Sequence, residues 1–147
     1  MVTQYRKPFR LEVLGPSGPV CRDEVLSVIF PAVDGEIGVL GGRAPMIARV
    51  GAGRLVVGAP EGRQHTYFLA GGFAQVRDDF MTILAEECVP VEELDPEHAW
   101  GELQQAKQLP VADEAQRALR QQSLATARAR FNLAQEARKR RQGGQGA

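Results

Sequence analysis

The residues with chemical potential are few and scattered. His65 and His98 are the two histidines, and neither has a metal-ligating neighbour at i+3 or i+4. Cys21 and Cys88 are the two cysteines, too far apart for a metal-ligand motif, and read as a pair of reduced, half-buried thiols. No Ser-His-Asp or Cys-His arrangement can be assembled around them. Gly41-Gly42 and Gly71-Gly72 lack the strand–GxGxxG–helix setting and the lysine of a phosphate loop, so they read as turns or bulges. Glu86-Glu87 and Glu92-Glu93 are adjacent acids on candidate strand edges, where neighbouring side chains point to opposite faces. No catalytic residue is assigned, and no cofactor or metal is expected.

One feature with chemical direction remains, a run of cations near the end of the chain. The 147 residues carry 18 Lys/Arg and 18 Asp/Glu, a net charge of zero. Residues 1–112 hold ten cations and fifteen anions, and residues 113–147 hold eight cations and three anions. An acidic body of −5 therefore carries a basic tail of +5, an asymmetry typical of an interaction segment. Global neutrality argues against a general nucleic-acid binder. The basic segment has Phe131 as its single aromatic, too little for base stacking, so an acidic protein surface is the better partner. The longest stretch without a charge, residues 64–76, is too short to span a bilayer. Arg6, Lys7 and Arg10 are followed by no apolar run, so no secretory signal is visible.

The elements that must carry these residues divide the chain in two. With 44% hydrophobic and 24% charged residues, the composition is that of a folded protein. Thirteen of 16 glycines precede residue 113 and eight of nine prolines precede residue 100, and alanine, glutamine and arginine dominate afterwards. Residues 9–14 alternate apolar and polar, the period of a half-buried strand. Further strand patterns fall at 20–22, 25–33, 36–40, 46–50, 54–58, 65–70, 73–77, 80–85 and 88–91, with turn signals between them. About ten short strands predict an all-β sandwich or barrel over residues 1–94.

From residue 95 the pattern is helical. Asp95 is a favoured N-cap and Pro96 suits the first helical position. Trp100, Leu103 and Ala106 or Lys107 give the first helix a single face, and residues 109–112 interrupt the pattern. Asp113 caps a second helix on which Leu124, Ala127, Phe131 and Ala134 form a narrow stripe. Arg117, Arg120, Arg128, Arg130 and Arg138, with the 139–141 cluster, take much of its remaining surface. The expectation is an antiparallel helical hairpin over 95–141, poor in large apolar groups and able to detach, with a flexible tail at 142–147.

Gly35-Glu36-Ile37-Gly38-Val39-Leu40-Gly41-Gly42-Arg43-Ala44-Pro45-Met46 resembles the segment G-E-x-G-[IV]-x-x-G-H-A-P-[LM] of the epsilon subunits of F-type ATP synthases, equivalent to the mitochondrial delta subunit. Tyr67-Phe68-Leu69-Ala70-Gly71-Gly72-Phe73 is similar to a second signature of that family. The resemblance covers about residues 8–141 and implies a ten-stranded β-sandwich followed by a two-helix hairpin. It implies a non-catalytic rotor subunit, bound through the sandwich to the gamma subunit and the c ring. The hairpin would extend toward the catalytic alpha and beta subunits and restrain ATP hydrolysis through its basic helix. The membrane is met only indirectly, at the cytoplasmic face of a bacterial cell, and the coupling ion is a proton or sodium.

Carried over by position, Asp34, Gly35 and Glu36 form the turn that meets the c ring. Arg43 stands where the family usually has histidine, which adds a fixed positive charge there. Some relatives bind ATP at the hairpin through [IL]-D-x-x-R-A. Here Leu94-Asp95-Pro96-Glu97-His98-Ala99 keeps Asp95 and Ala99 but has His98 for the arginine, which predicts weak or absent ATP binding. The alternative, an ATP-sensing module whose hairpin closes on nucleotide, depends on that missing arginine.

Overall fold

The computed structural model describes residues 7–145, with side chains through residue 143. They form two compact units that meet between Val89 and Pro90, five residues before the boundary expected at 94/95.

The first unit holds eight strands: β1 (Phe9–Gly15), β2 (Gly18–Val25), β3 (Ser27–Ala32), β4 (Gly35–Leu40), β5 (Met46–Arg49), β6 (Ala52–Gly58), β7 (Gln64–Arg77) and β8 (Phe80–Pro90). They run in the order β2-β1-β8-β7-β6-β3-β4, with β5 also paired to β7. β1 and β8 pair in parallel, while β1–β2, β3–β4, β3–β6, β6–β7 and β5–β7 are antiparallel.

Eight strands replace the expected ten because two pairs of predicted strands are continuous. Residues 65–70 and 73–77 are the halves of β7, and 80–85 and 88–91 fall largely within β8. The glycines that read as a break between the first two are a kink inside one strand, with φ of +75° at Gly71 and +107° at Gly72. Only glycine takes such angles readily. The first half of β7 pairs with β6 and the second with β5, so the kink lets one strand serve both faces of the sandwich.

Strand periodicity fills the interior. Phe9, Leu11 and Val13 of β1 and Met81, Ile83 and Ala85 of β8 point inward, with polar or exposed residues between them. Val28 and Phe30 of β3, Val39 of β4, Leu55 and Val57 of β6 and Leu69 of β7 complete one cluster, most of it under 4% exposed. Each large side chain buried there contributes roughly 1.5–3 kcal/mol.

The second unit contains a 3-10 turn (Val91–Glu93), α1 (Pro96–Lys107) and α2 (Glu114–Gln145). Asp95 caps α1, accepting the Glu97 N–H at 3.1 Å, and Asp113 caps α2, accepting the Gln116 N–H at 2.8 Å. Leu103 and Ala106 of α1 meet Leu124 and Ala127 of α2, with Phe131 half-buried beside them. α2 runs on to Gln145, so the segment expected to form a flexible tail from 142 is helical for its first four residues. Gly143 and Gly144, expected in that tail, lie within the helix; Gly146 and Ala147 lie outside the described residues. Among the described residues no helix is long and apolar enough to cross a membrane.

Candidate protein-interaction surfaces

The β3–β4 hairpin presents the first surface. Ala32 pairs with Gly35 and Pro31 with Glu36, which leaves Val33 and Asp34 as its two-residue tip. Gly35 holds φ +130°, a conformation costly for any other residue. Asp34, Gly35 and Glu36 are all exposed.

Arg43 lies in the loop beyond the other end of β4, yet it returns to the same face. Its N–H donates to the Leu40 carbonyl at 3.3 Å, closing a turn. Its Nη1 donates to the Gly38 carbonyl at 2.9 Å. Glu36, Gly38 and Leu40 are alternate, exposed residues of β4, so the guanidinium comes to a face that also carries Glu36.

Cross-strand pairing adds what periodicity along one segment could not reveal. Ile29 of β3 lies opposite Gly38 and is 40% exposed, and Leu40 is 51% exposed. Arg54 of β6 reaches across to Glu36 at 3.9 Å. The surface is thus two apolar side chains rimmed by Glu36, Arg43 and Arg54. The available sequence signal for the additions was that Ile29 and Arg54 occupy outward phases of their strands. Their coming together required the strand order β6-β3-β4.

The second surface is the basic helix, and most of its named arginines are engaged within the hairpin. Arg117 Nη1 donates to the Val111 carbonyl at 3.4 Å and Arg120 Nη2 to the Lys107 carbonyl at 3.2 Å. Arg130, with its side chain only 15% exposed, pairs with Glu102. Arg138 forms a forked pair with both oxygens of Glu97, at 2.9 and 2.7 Å. That guanidinium, the Asp95 side chain and the helix-start N–H hold the Glu97 carboxyl down to about 2. The sequence reading, which spread these cations over open surface, is corrected here for Arg130 above all. Antiparallel packing lays the acids of α1 alongside α2, and opposite charges a few ångströms apart attract. Arg128 is exposed.

The residues of the degenerate ATP motif do other work. Asp95 is the cap of α1. Ala99 is buried, and its N–H donates to the Asp95 carbonyl at 2.9 Å. His98 is exposed, with Nδ1 3.4 Å from Glu102. A cleft of about 430 Å³ between the helices is lined by Glu102, Gln105, Leu109, Leu119, Ser123 and Arg130 among others, none of them from the motif.

Cys21, Cys88 and Tyr67 gather in the sandwich. Burial, then the neighbouring Cys21, pushes the Cys88 thiol up to about 12, and burial likewise raises Cys21 and Tyr67. Neither thiol is poised as a nucleophile. Among the described residues no group of three or more His, Cys, Asp or Glu could hold a metal ion.

The family profile of the ATP synthase delta/epsilon chain β-sandwich domain matches residues 8–91, more than half the chain. The chain belongs to the ATP synthase delta/epsilon family. The ATP synthase epsilon chain of Rhodopirellula baltica is 37% identical over 119 residues, 81% of this chain and 92% of that one. A sodium-ion-specific ATP synthase epsilon chain of Propionigenium modestum is 30% identical over 130 residues, 87% and 94% of the two chains. A chain of the Euglena gracilis mitochondrial ATP synthase, solved in an OSCP/F1/c-ring assembly, superposes with a TM-score of 0.73 at 27% identity. That likeness covers 83% of this chain and 78% of the other. As an epsilon chain, the protein is an accessory, non-catalytic subunit.

Proposed function

We propose that this epsilon chain joins the gamma subunit to the c ring in the central stalk and that its basic hairpin restrains ATP hydrolysis. The observation that carries the coupling role is the exposed β3–β4 surface, which falls within the family domain of residues 8–91. There Asp34, Glu36 and Arg43, beside the turn glycine Gly35, present two acids and a cation to a partner, together with the exposed apolar side chains of Ile29 and Leu40. The Euglena relative, solved together with a c-ring, supports this assembly. Peripheral attachment at the cytoplasmic face of a bacterial membrane is part of the same proposal.

Restraint of hydrolysis draws on the second surface. Arg117, Arg120, Arg130 and Arg138 are satisfied inside the hairpin by Glu97, Glu102 and two carbonyls. An acidic segment of the alpha or beta subunits would have to replace those partners as the helices part. The brake is thus a competition for one set of cations between the partner's anions and the hairpin's own carboxylates and carbonyls, and it weakens as salt rises.

Two measurements test the proposal. The purified chain should elute with gamma as one complex at low micromolar concentration; separate elution would remove the coupling role. Ending the chain after Glu93 deletes the helices and should raise the ATPase rate of the assembled enzyme. An unchanged rate would remove the brake and leave the coupling role standing.

A further inference from the structure

Asp79 sits in the turn between β7 and β8, 37 residues from Gly42, and three segments converge on it. Its carbonyl accepts the Arg10 N–H at 3.0 Å. Its carboxylate accepts the Gly42 N–H at 3.1 Å through Oδ1 and pairs with Lys7 Nζ at 2.6 Å through Oδ2. Gly41 lies so close to Lys7 that a Cβ added there would collide with the Lys7 carbonyl. The N-terminal approach to β1, the β7–β8 turn and the β4–β5 loop are therefore tied at one carboxylate.

The backbone sharpens the point. Asp78 and Asp79 both hold positive φ, +52° and +60°, which glycine would adopt without strain. Among the described residues, the Asp78 side chain pairs with the adjacent Arg77, at 3.7 Å. Asp79 instead reaches two distant segments, Gly42 through Oδ1 and Lys7 through Oδ2. A left-handed residue whose side chain spans to a distant segment does more than form its own turn.

We propose that Asp79, with Lys7, is a positioning residue for ring contact: it fixes Gly42 and thereby sets where Arg43 stands beside Glu36. Gly42 is held by Asp79, and Arg43 is held by the carbonyls of Leu40 and Gly38. The loop is thereby set in one pose before a partner arrives, which lowers the ordering cost of binding. Lys7 and the Gly42 N–H keep the Asp79 carboxyl below its ordinary range, so the tie stays charged at neutral pH. The inference rests on the ring-contact reading above.

The test uses the full chain in assembled F1, rebound to c-ring membranes stripped of F1. Asp79→Gly keeps the turn and removes the carboxylate, which protects folding. Ring-membrane affinity should fall roughly three- to tenfold, the scale of the ordering cost of one side chain that the loop must then meet on binding. Affinity for isolated gamma should stay unchanged, and the Gly42 amide should exchange faster with solvent. In an Arg43→Ala background Asp79→Gly should cost little more, because both act through one loop. If Glu36→Ala and Arg43→Ala weaken ring binding while Asp79→Gly does not, the positioning role is overturned alone. Equal losses toward gamma and ring would also overturn it. If none of the three variants weakens ring binding, the ring-contact reading falls with it.

Discussion

Alanine at Gly72 should damage the sandwich far more than alanine at another positive-φ glycine. Gly72 holds φ +107°, and a Cβ there would run into the Leu84 carbonyl of β8. The strain of a non-glycine residue at such an angle is roughly 1–3 kcal/mol. The collision adds to it, because the obstacle is backbone inside a paired strand and cannot swing aside. The same carbonyl-rich corner already binds the chain, since Val50 donates to the Gly72 carbonyl at 2.9 Å. We expect Gly72→Ala to cost upward of about 3 kcal/mol, enough at an ordinary urea slope to lower the midpoint by roughly 1–3 M. Gly62 is the control: its φ is +95° but nothing lies within 4 Å, so Gly62→Ala carries the strain alone. Gly71→Ala should fall between them, since its Cβ would meet the movable Glu86 side chain. Urea unfolding followed at amide signals of β1 and β8 measures the series, with Trp100 fluorescence reporting the hairpin separately. Equal midpoint shifts for Gly62→Ala and Gly72→Ala would refute the reasoning.

Other outcomes follow from the hairpin and the thiols. Leu124→Ala empties part of the seam against Leu103, Ala106 and Ala127 and should cost the hairpin roughly 2–3 kcal/mol. Trp100, whose ring lies 5.3 Å from Phe131, should report that loss, and an unaltered hairpin transition would contradict it. Arg138 and the helix start hold Glu97 at about 2, below its unfolded value of 4.5, so its contribution is complete above 4.5 and disappears as pH drops toward 2. The hairpin's thermal midpoint should therefore step down across that window, and Glu97→Gln should flatten the step; an identical profile in the variant would count against the pair. Cys88, raised to about 12, should alkylate at pH 8 much more slowly in the native chain than in urea, and equal rates would show the thiol to be open.

Local chemistry determined a large part of this protein from the sequence alone. The period of two in Phe9-Arg10-Leu11-Glu12-Val13 marked β1 because a pleated strand sends successive side chains to opposite faces. Asp95-Pro96 and Asp113 marked the helix starts because capping is settled within three residues. The motif around Glu36 and Arg43 identified the family, since both residues belong to one short segment. What the tertiary structure decided was every fact that depends on segments far apart meeting. Gly71-Gly72 reads locally as a turn or bulge between two strands but is a kink in one continuous strand, because β5 and β6 pair with its two halves. Arg130 reads as a surface cation but turns to Glu102, because only the antiparallel packing of α1 supplies that acid. Asp79 reads as half of a polar turn, yet it holds Gly42 and Lys7, since the strand order brings three ends of the sandwich to one place. Periodicity and caps are short-range and survive in a linear string; pairing partners and opposed charges are long-range, and only the folded chain brings them within reach.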